Sequence, residues 1–178
     1  MSFKLLPDKK ISVVTQAEVM SKEMASSILD RYLGHPNVGR ISSNRFSFNC
    51  IALDPLEWIR IYEPVTAAVL DANINNYGFK LQGISSLYYV EFYKDCFMEW
   101  SMDLLESSRE TNKLSLYIPL NDGFKGGDLS IMNPTPMVIP SRVGELTMFP
   151  SFVPAKQDPT KSGTKAMIVG TVTGLPFS

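Results

Sequence analysis

A change of texture near residue 79 most constrains what this chain can fold into. Upstream lie two helical periodicities, and downstream lies a succession of short β-prone runs separated by turn residues. Thr15 followed by Glu18 reads as a capping box. Met20, Met24, Ile28 and Tyr32 then recur every fourth residue and paint one apolar face, which Gly34 and Pro36 bring to an end. The second helix is expected from Asp54 as N-cap and Pro55 in the first turn, with Glu57 at the third position. Trp58, Ile61, Val65, Val69 and Ala72 carry its apolar face, and Asn75-Asn76-Tyr77-Gly78 ends it. The β-prone runs are Leu87–Tyr93, Leu114–Leu120, Asp128–Ile131, Met137–Ile139, Glu145–Phe149 and Ala166–Val172. Asn121-Asp122-Gly123 and Lys125-Gly126-Gly127 supply turns between them. Helices first and antiparallel strands afterwards predict an α+β, mainly β domain. Its helical support spans about 15–76 and its β core about 79–177, each part covering the other.

Length and composition allow this to be one domain, 1–178. A chain of this size buries roughly 70% of its unfolded surface, so neither a disulfide nor a metal is needed for folding. The net charge of −1 and the charged fraction of 20% show no basic excess, so neither nucleic acid nor a membrane surface is an expected partner. The two cysteines, Cys50 and Cys96, are not spaced for zinc and read as reduced, buried thiols. The segment Met1–Lys10 has no apolar run of signal-peptide length, and no stretch approaches the ~20 apolar residues of a membrane span. A cytoplasmic site of synthesis follows as the expectation.

Several segments carry chemistry when taken in order. They are the aromatic strand Tyr88-Tyr89-Val90-Glu91-Phe92-Tyr93, then Trp100-Ser101-Met102-Asp103, and then Lys113–Asp122 with Phe124-Lys125-Gly126-Gly127-Asp128-Leu129. Gly144–Phe152 with its Phe149-Pro150-Ser151-Phe152 turn follows, then Pro159–Lys165, and finally Gly174-Leu175-Pro176-Phe177. This series resembles the prolyl-4-hydroxylase-like branch of the 2-oxoglutarate/Fe(II) dioxygenases over about residues 15–177. The resemblance implies a double-stranded β-helix, or jelly roll, with N-terminal buttressing helices. It also implies a metal triad of a His-x-Asp pair and a distal histidine. Here the first histidine position is Ser101, the carboxylate Asp103 is kept, and the distal histidine position falls on Ala155. The basic 2-oxoglutarate anchor position is Lys165. The glycine usual before the metal strand is lost, with Asp95-Cys96 occupying that stretch through a one-residue deletion.

The whole chain contains one histidine, His35, in the loop Gly34-His35-Pro36-Asn37. One imidazole cannot fill two vacancies, and Asp103 alone is a poor site for Fe(II). Recruiting Glu99, Glu106 or Asp128 would make an oxygen-rich site suited to Mg²⁺, Ca²⁺ or Mn²⁺. Lys165 is either a vestigial anchor for a small dicarboxylate or a strand lysine that snorkels or pairs with a nearby acid. Asp103 is either the surviving ligand or a loop and cap residue. His35 reads as a surface loop residue.

The expectation drawn from these residues is a degenerate, catalytically inactive member of the fold. It has no catalytic residue, cofactor or bound metal, and is retained as a structural or protein-interaction module in an assembly or homo-oligomer. Compact dioxygenase-like proteins of this type resemble phage-encoded ones, which extends the expectation to a virion component of neck, tail or baseplate. The rival is a divergent 2-oxoglutarate oxygenase acting on a peptidyl proline through a non-standard metal site. A third reading is a binding module using a groove lined by Tyr88, Tyr93, Trp100 and Tyr117.

Overall fold

The computed structural model describes residues 13–104 and 110–176. The segment Met1–Lys10, the candidate ligand Glu106 and the terminal Phe177 lie outside the described residues. In chain order the elements are β1 (Thr15–Glu18), α1 (Lys22–Tyr32), β2 (Gly39–Ser42), β3 (Phe46–Leu53), α2 (Ile59–Ala72) with a π-helical turn Asn73–Tyr77, and β4 (Leu81–Phe92). Then come β5 (Phe97–Ser101), β6 (Thr111–Pro119), β7 (Lys125–Gly126), β8 (Leu129–Asn133), β9 (Thr135–Val138), β10 (Glu145–Pro150), β11 (Ala155–Gln157), β12 (Thr160–Ser162) and β13 (Lys165–Gly174). The large sheet runs β1-β10-β6-β13-β4-β3-β5-β11-β8-β9, with β2 added to β3. β12 and β7 form a separate pair. These strands pair with one another antiparallel, and Lys94 adds a single parallel bridge to Thr160 of β12. The sheet curls on itself, as the expected jelly roll requires.

Strand alternation divides the molecule into two cores. On β4, Leu87 and Tyr89 face the helices, whereas Val90 and Phe92 face the inside of the barrel. On β6, Leu114, Leu116 and Ile118 face outward and Tyr117 faces inward. On β13, Ala166, Ile168 and Val172 face the helices and Met167 faces inward. Ile28 of α1 and Ile61, Val65 and Val69 of α2 cover the outward set. Both faces of these central strands are therefore covered, and β6 is buried at every position, including the polar Thr111, Lys113 and Ser115 on the side of Tyr117.

Two local expectations change. Thr15–Glu18 is a strand, not a capping box: it adds to β10 with Thr15 opposite Met148 and Glu18 opposite Glu145. Pairing with an open sheet edge satisfies backbone groups along the whole segment, whereas a capping box serves only one helix end. The helix starts later, after Ser21, whose Oγ accepts from the Met24 amide at 3.2 Å. Met20 precedes it but stays buried, and its carbonyl lies where a Cβ on Gly144 would stand. Asp54 does cap the chain entering α2. Its Oδ1 accepts from the Leu56 and Glu57 amides, and the α-helix proper then begins at Ile59. Between the helices, β2 and β3 form a hairpin that the helical reading of 15–76 did not contain.

Candidate functional site

A cavity of about 190 Å³ opens on the inner face of the barrel. Phe48 of β3, Tyr88 and Phe92 of β4, Met98 of β5 and Tyr117 of β6 form its walls, and Asp103 follows β5 at its side. The Phe48 and Phe92 rings lie 5.6 Å apart, and Tyr117 stacks on Phe149 at 5.5 Å. Gly170 gives β13 a close passage, since a Cβ there would stand 2.6 Å from the Ser86 carbonyl. Of the aromatic groove expected from sequence, Tyr88 and Tyr117 are present. Tyr93 and Trp100 are not part of it. Tyr93 donates to Glu91, and Trp100 lies under the Lys156 ammonium at 5.5 Å.

Two of the three positions singled out for iron are brought together, and the third, Asp103, follows the end of β5. Ser101 and Ala155, far apart in sequence, are direct partners across β5 and β11. Asp103 Oδ2 accepts from the Tyr117 hydroxyl at 3.3 Å, and its carbonyl accepts from Asn112 Nδ2 at 2.7 Å, which fixes the strand exit. Burial, reinforced by the Asp103 charge, pushes the Tyr117 phenol well above its ordinary range, so it remains a donor. Ala155 is 3% exposed and brings no donor atom. These side chains do not fit Fe(II) held as two imidazoles and a carboxylate. Glu99 and Asp128 are exposed, and among the described residues no three His, Cys, Asp or Glu side chains gather.

Lys165 is 2% exposed. Its ammonium donates to the Gly127 carbonyl at 2.7 Å and to Gln157 Oε1 at 3.0 Å, and it lies 5.5 Å from the Phe124 ring centre. Gln157 Nε2 donates to the same Gly127 carbonyl. Gly127, at φ 67°, makes room, because a Cβ there would press on Thr160, Gln157 and Lys165. Burial pushes the lysine down to about 8, with the charge of Asp128 opposing. The strand-lysine reading required a neighbouring acid or snorkelling to water; the contacts found are instead two neutral oxygens. The space beside Lys165, between Tyr117 and Thr147, is only about 10 Å³. A dicarboxylate does not fit there unless these side chains move.

Sequence reading missed a polar cluster on the helix side. Glu91 is fully buried. Its Oε1 accepts from the Tyr89 hydroxyl at 2.9 Å and the Gly34 amide at 3.0 Å, and its Oε2 accepts from the Tyr93 hydroxyl. Burial and then the Glu91 hydrogen bond raise both phenols, Tyr93 to about 12. The i, i+2, i+4 spacing of Tyr89, Glu91 and Tyr93 was the available signal. His35 is exposed in the adjoining loop, where Nδ1 accepts from the Asn37 amide. Cys50 and Cys96 are free thiols. Cys96 is buried, and Cys50 is only partly so. No helix among the described residues is long and apolar enough to cross a membrane.

No family model and no curated protein matches the sequence. Solved structures do match. A Pseudomonas putida prolyl-4-hydroxylase superposes with a TM-score of 0.75 at 13% identity, covering 92% of this chain and 94% of that one. The viral collagen prolyl hydroxylase of Paramecium bursaria Chlorella virus-1 gives 0.71 at 11% identity over 92% and 97%. A Trichoplax adhaerens prolyl hydroxylase in complex with a hypoxia inducible factor peptide gives 0.73 at 12% identity over 89% and 83%. These matches overturn the expectation that the chain is not an enzyme. That expectation rested on residue identities at three positions, whereas the barrel shared with these enzymes is present over nine-tenths of the chain. What the likeness establishes is architecture: the chain has the jelly-roll fold of the prolyl-4-hydroxylase-like 2-oxoglutarate oxygenases.

Proposed function

We propose that the chain is a recognition module on the oxygenase fold, and that its inner groove receives part of a protein partner within an assembly such as a phage particle. The observation that carries this reading is the open, aromatic-walled cavity of about 190 Å³. Apolar side chains from four strands border it without filling it, in an interior that otherwise packs closely. In this reading Ser101, Asp103 and Ala155 stand where the family holds iron, and Lys165 where it anchors 2-oxoglutarate. The groove beside them is where the guest sits.

A photo-reactive residue in place of Tyr88, which is 40% exposed at the groove mouth, tests the reading. It should crosslink one protein at a fixed ratio in the native source. The same probe at Leu56, 88% exposed beside α2, should not. Equal labelling from both positions would overturn it. Turnover has its own assay: stoichiometric iron with succinate formed from 2-oxoglutarate would replace recognition by catalysis.

A further inference from the structure

We infer that the group received in the groove is the side-chain cation of a guest polypeptide, a lysine or an arginine, seated against Asp103 and the aromatic walls. The inference rests on the groove-binding reading and adds the chemistry of the guest. Three observations support it. Among the described residues Asp103 is the one charged residue lining the cavity, so that wall carries a negative charge. Its Oδ2 is engaged by a neutral hydroxyl, that of Tyr117, and among the described residues no cationic side chain pairs with it. The other polar side chain deep in the wall, Gln157, is already committed to Lys165 and the Gly127 carbonyl.

The remaining wall suits the same guest. Phe48, Tyr88, Phe92 and Tyr117 surround the cavity, and aromatic ring faces attract cations. Its volume of about 190 Å³ falls below the ~300 Å³ at which pockets for whole small molecules begin, and suits a single long side chain. Lysine and arginine carry an apolar shaft for such walls and place their charge at the tip, where Asp103 waits. Lys165 lies behind Gln157 and is held by that amide and the Gly127 carbonyl. Its charge opposes a cation only from beyond the wall.

The test is a titration of the intact, isotope-labelled chain followed by NMR, with a short capped peptide bearing a central lysine and the same peptide with Nε-acetyl-lysine. The lysine peptide should shift the groove amides and bind about tenfold tighter, a margin in keeping with a charge-assisted contact plus ring faces. Asp103→Asn should abolish that margin while leaving the acetylated peptide's affinity unchanged, which also shows that the groove is intact. Equal binding of the two peptides to the native chain, or a lysine preference that survives Asp103→Asn, would overturn the inference and leave the groove reading standing. Binding of 4-phenylbutylammonium with no response to the lysine peptide would overturn the polypeptide source. If no probe moves the groove amides, both readings fall.

Discussion

The same three strands, β4, β6 and β13, present two different surfaces. Toward the helices, Leu87, Leu116 and Ile168 are fully packed, and the buried carboxylate there, Glu91, receives three hydrogen bonds. Toward the barrel interior, their neighbours Tyr88, Tyr117 and Val169 border a void, and the carboxylate there, Asp103, has a single side-chain donor. One face is finished by the chain itself. The other borders an open cavity, and the two are separated by no more than one residue along the strand.

Truncations on the two faces give the largest test of that contrast. Leu87→Ala should destabilise the fold by about 3 kcal/mol, because it opens a cavity under α2. Tyr88→Ala, one residue on, should cost under about 1 kcal/mol, since the side chain is partly exposed and already borders empty space. Urea unfolding measures both, and equal losses would break the distinction. Glu91→Ala should cost about 3 kcal/mol by stranding buried donors, and should also speed hydrogen exchange at the Gly34 amide. A stability loss with unchanged exchange at Gly34 would show that the carboxylate does not hold the loop.

The pH response probes both faces at once, through Lys165 and Tyr117 on the inner side and Tyr89 on the helix side. The folded Lys165 has its pKa lowered to about 8, so between 8 and 10.5 the unfolded chain binds a proton that the folded chain has released. Stability should rise with pH across that window, by at most on the order of 3 kcal/mol. The phenols of Tyr89, Tyr93 and Tyr117 are raised, so their contribution is full below about 10 and is lost at higher pH. The predicted curve climbs from pH 8, then falls above 10. Lys165→Met should remove the climb and keep the fall, as unfolding midpoints at several pH values would report. The smallest effect belongs to Asp95, a non-glycine residue at φ 65° in the turn before β5. Asp95→Gly should add about 0.5 kcal/mol by relieving the left-handed conformation, whereas Asp95→Val should lose at least that much.

Much of this was written locally in the sequence. The strands from Leu87 to Val172 were visible because their β-branched and aromatic runs end in glycine-rich turns. The convergence of Ser101 with Ala155 was visible through the order of the motifs. Thr15–Glu18 was misread because a strand that joins an edge carries no periodicity of its own over four residues; β10, more than a hundred positions away, decides its state. The Glu91 cluster was hidden for a related reason, since the Gly34 amide reaches it across 57 positions. Which aromatics line the groove depended on parity along β4, and parity is readable only once the register is known.

The alternation of faces also bears on how such a chain can change over generations. A substitution at Asp103, on the cavity side, leaves the helix-covered packing of Leu87, Leu116 and Ile168 untouched. An outward change of the same size disrupts the scaffold itself. A barrel arranged this way separates the residues that seat its helices from those that border its groove.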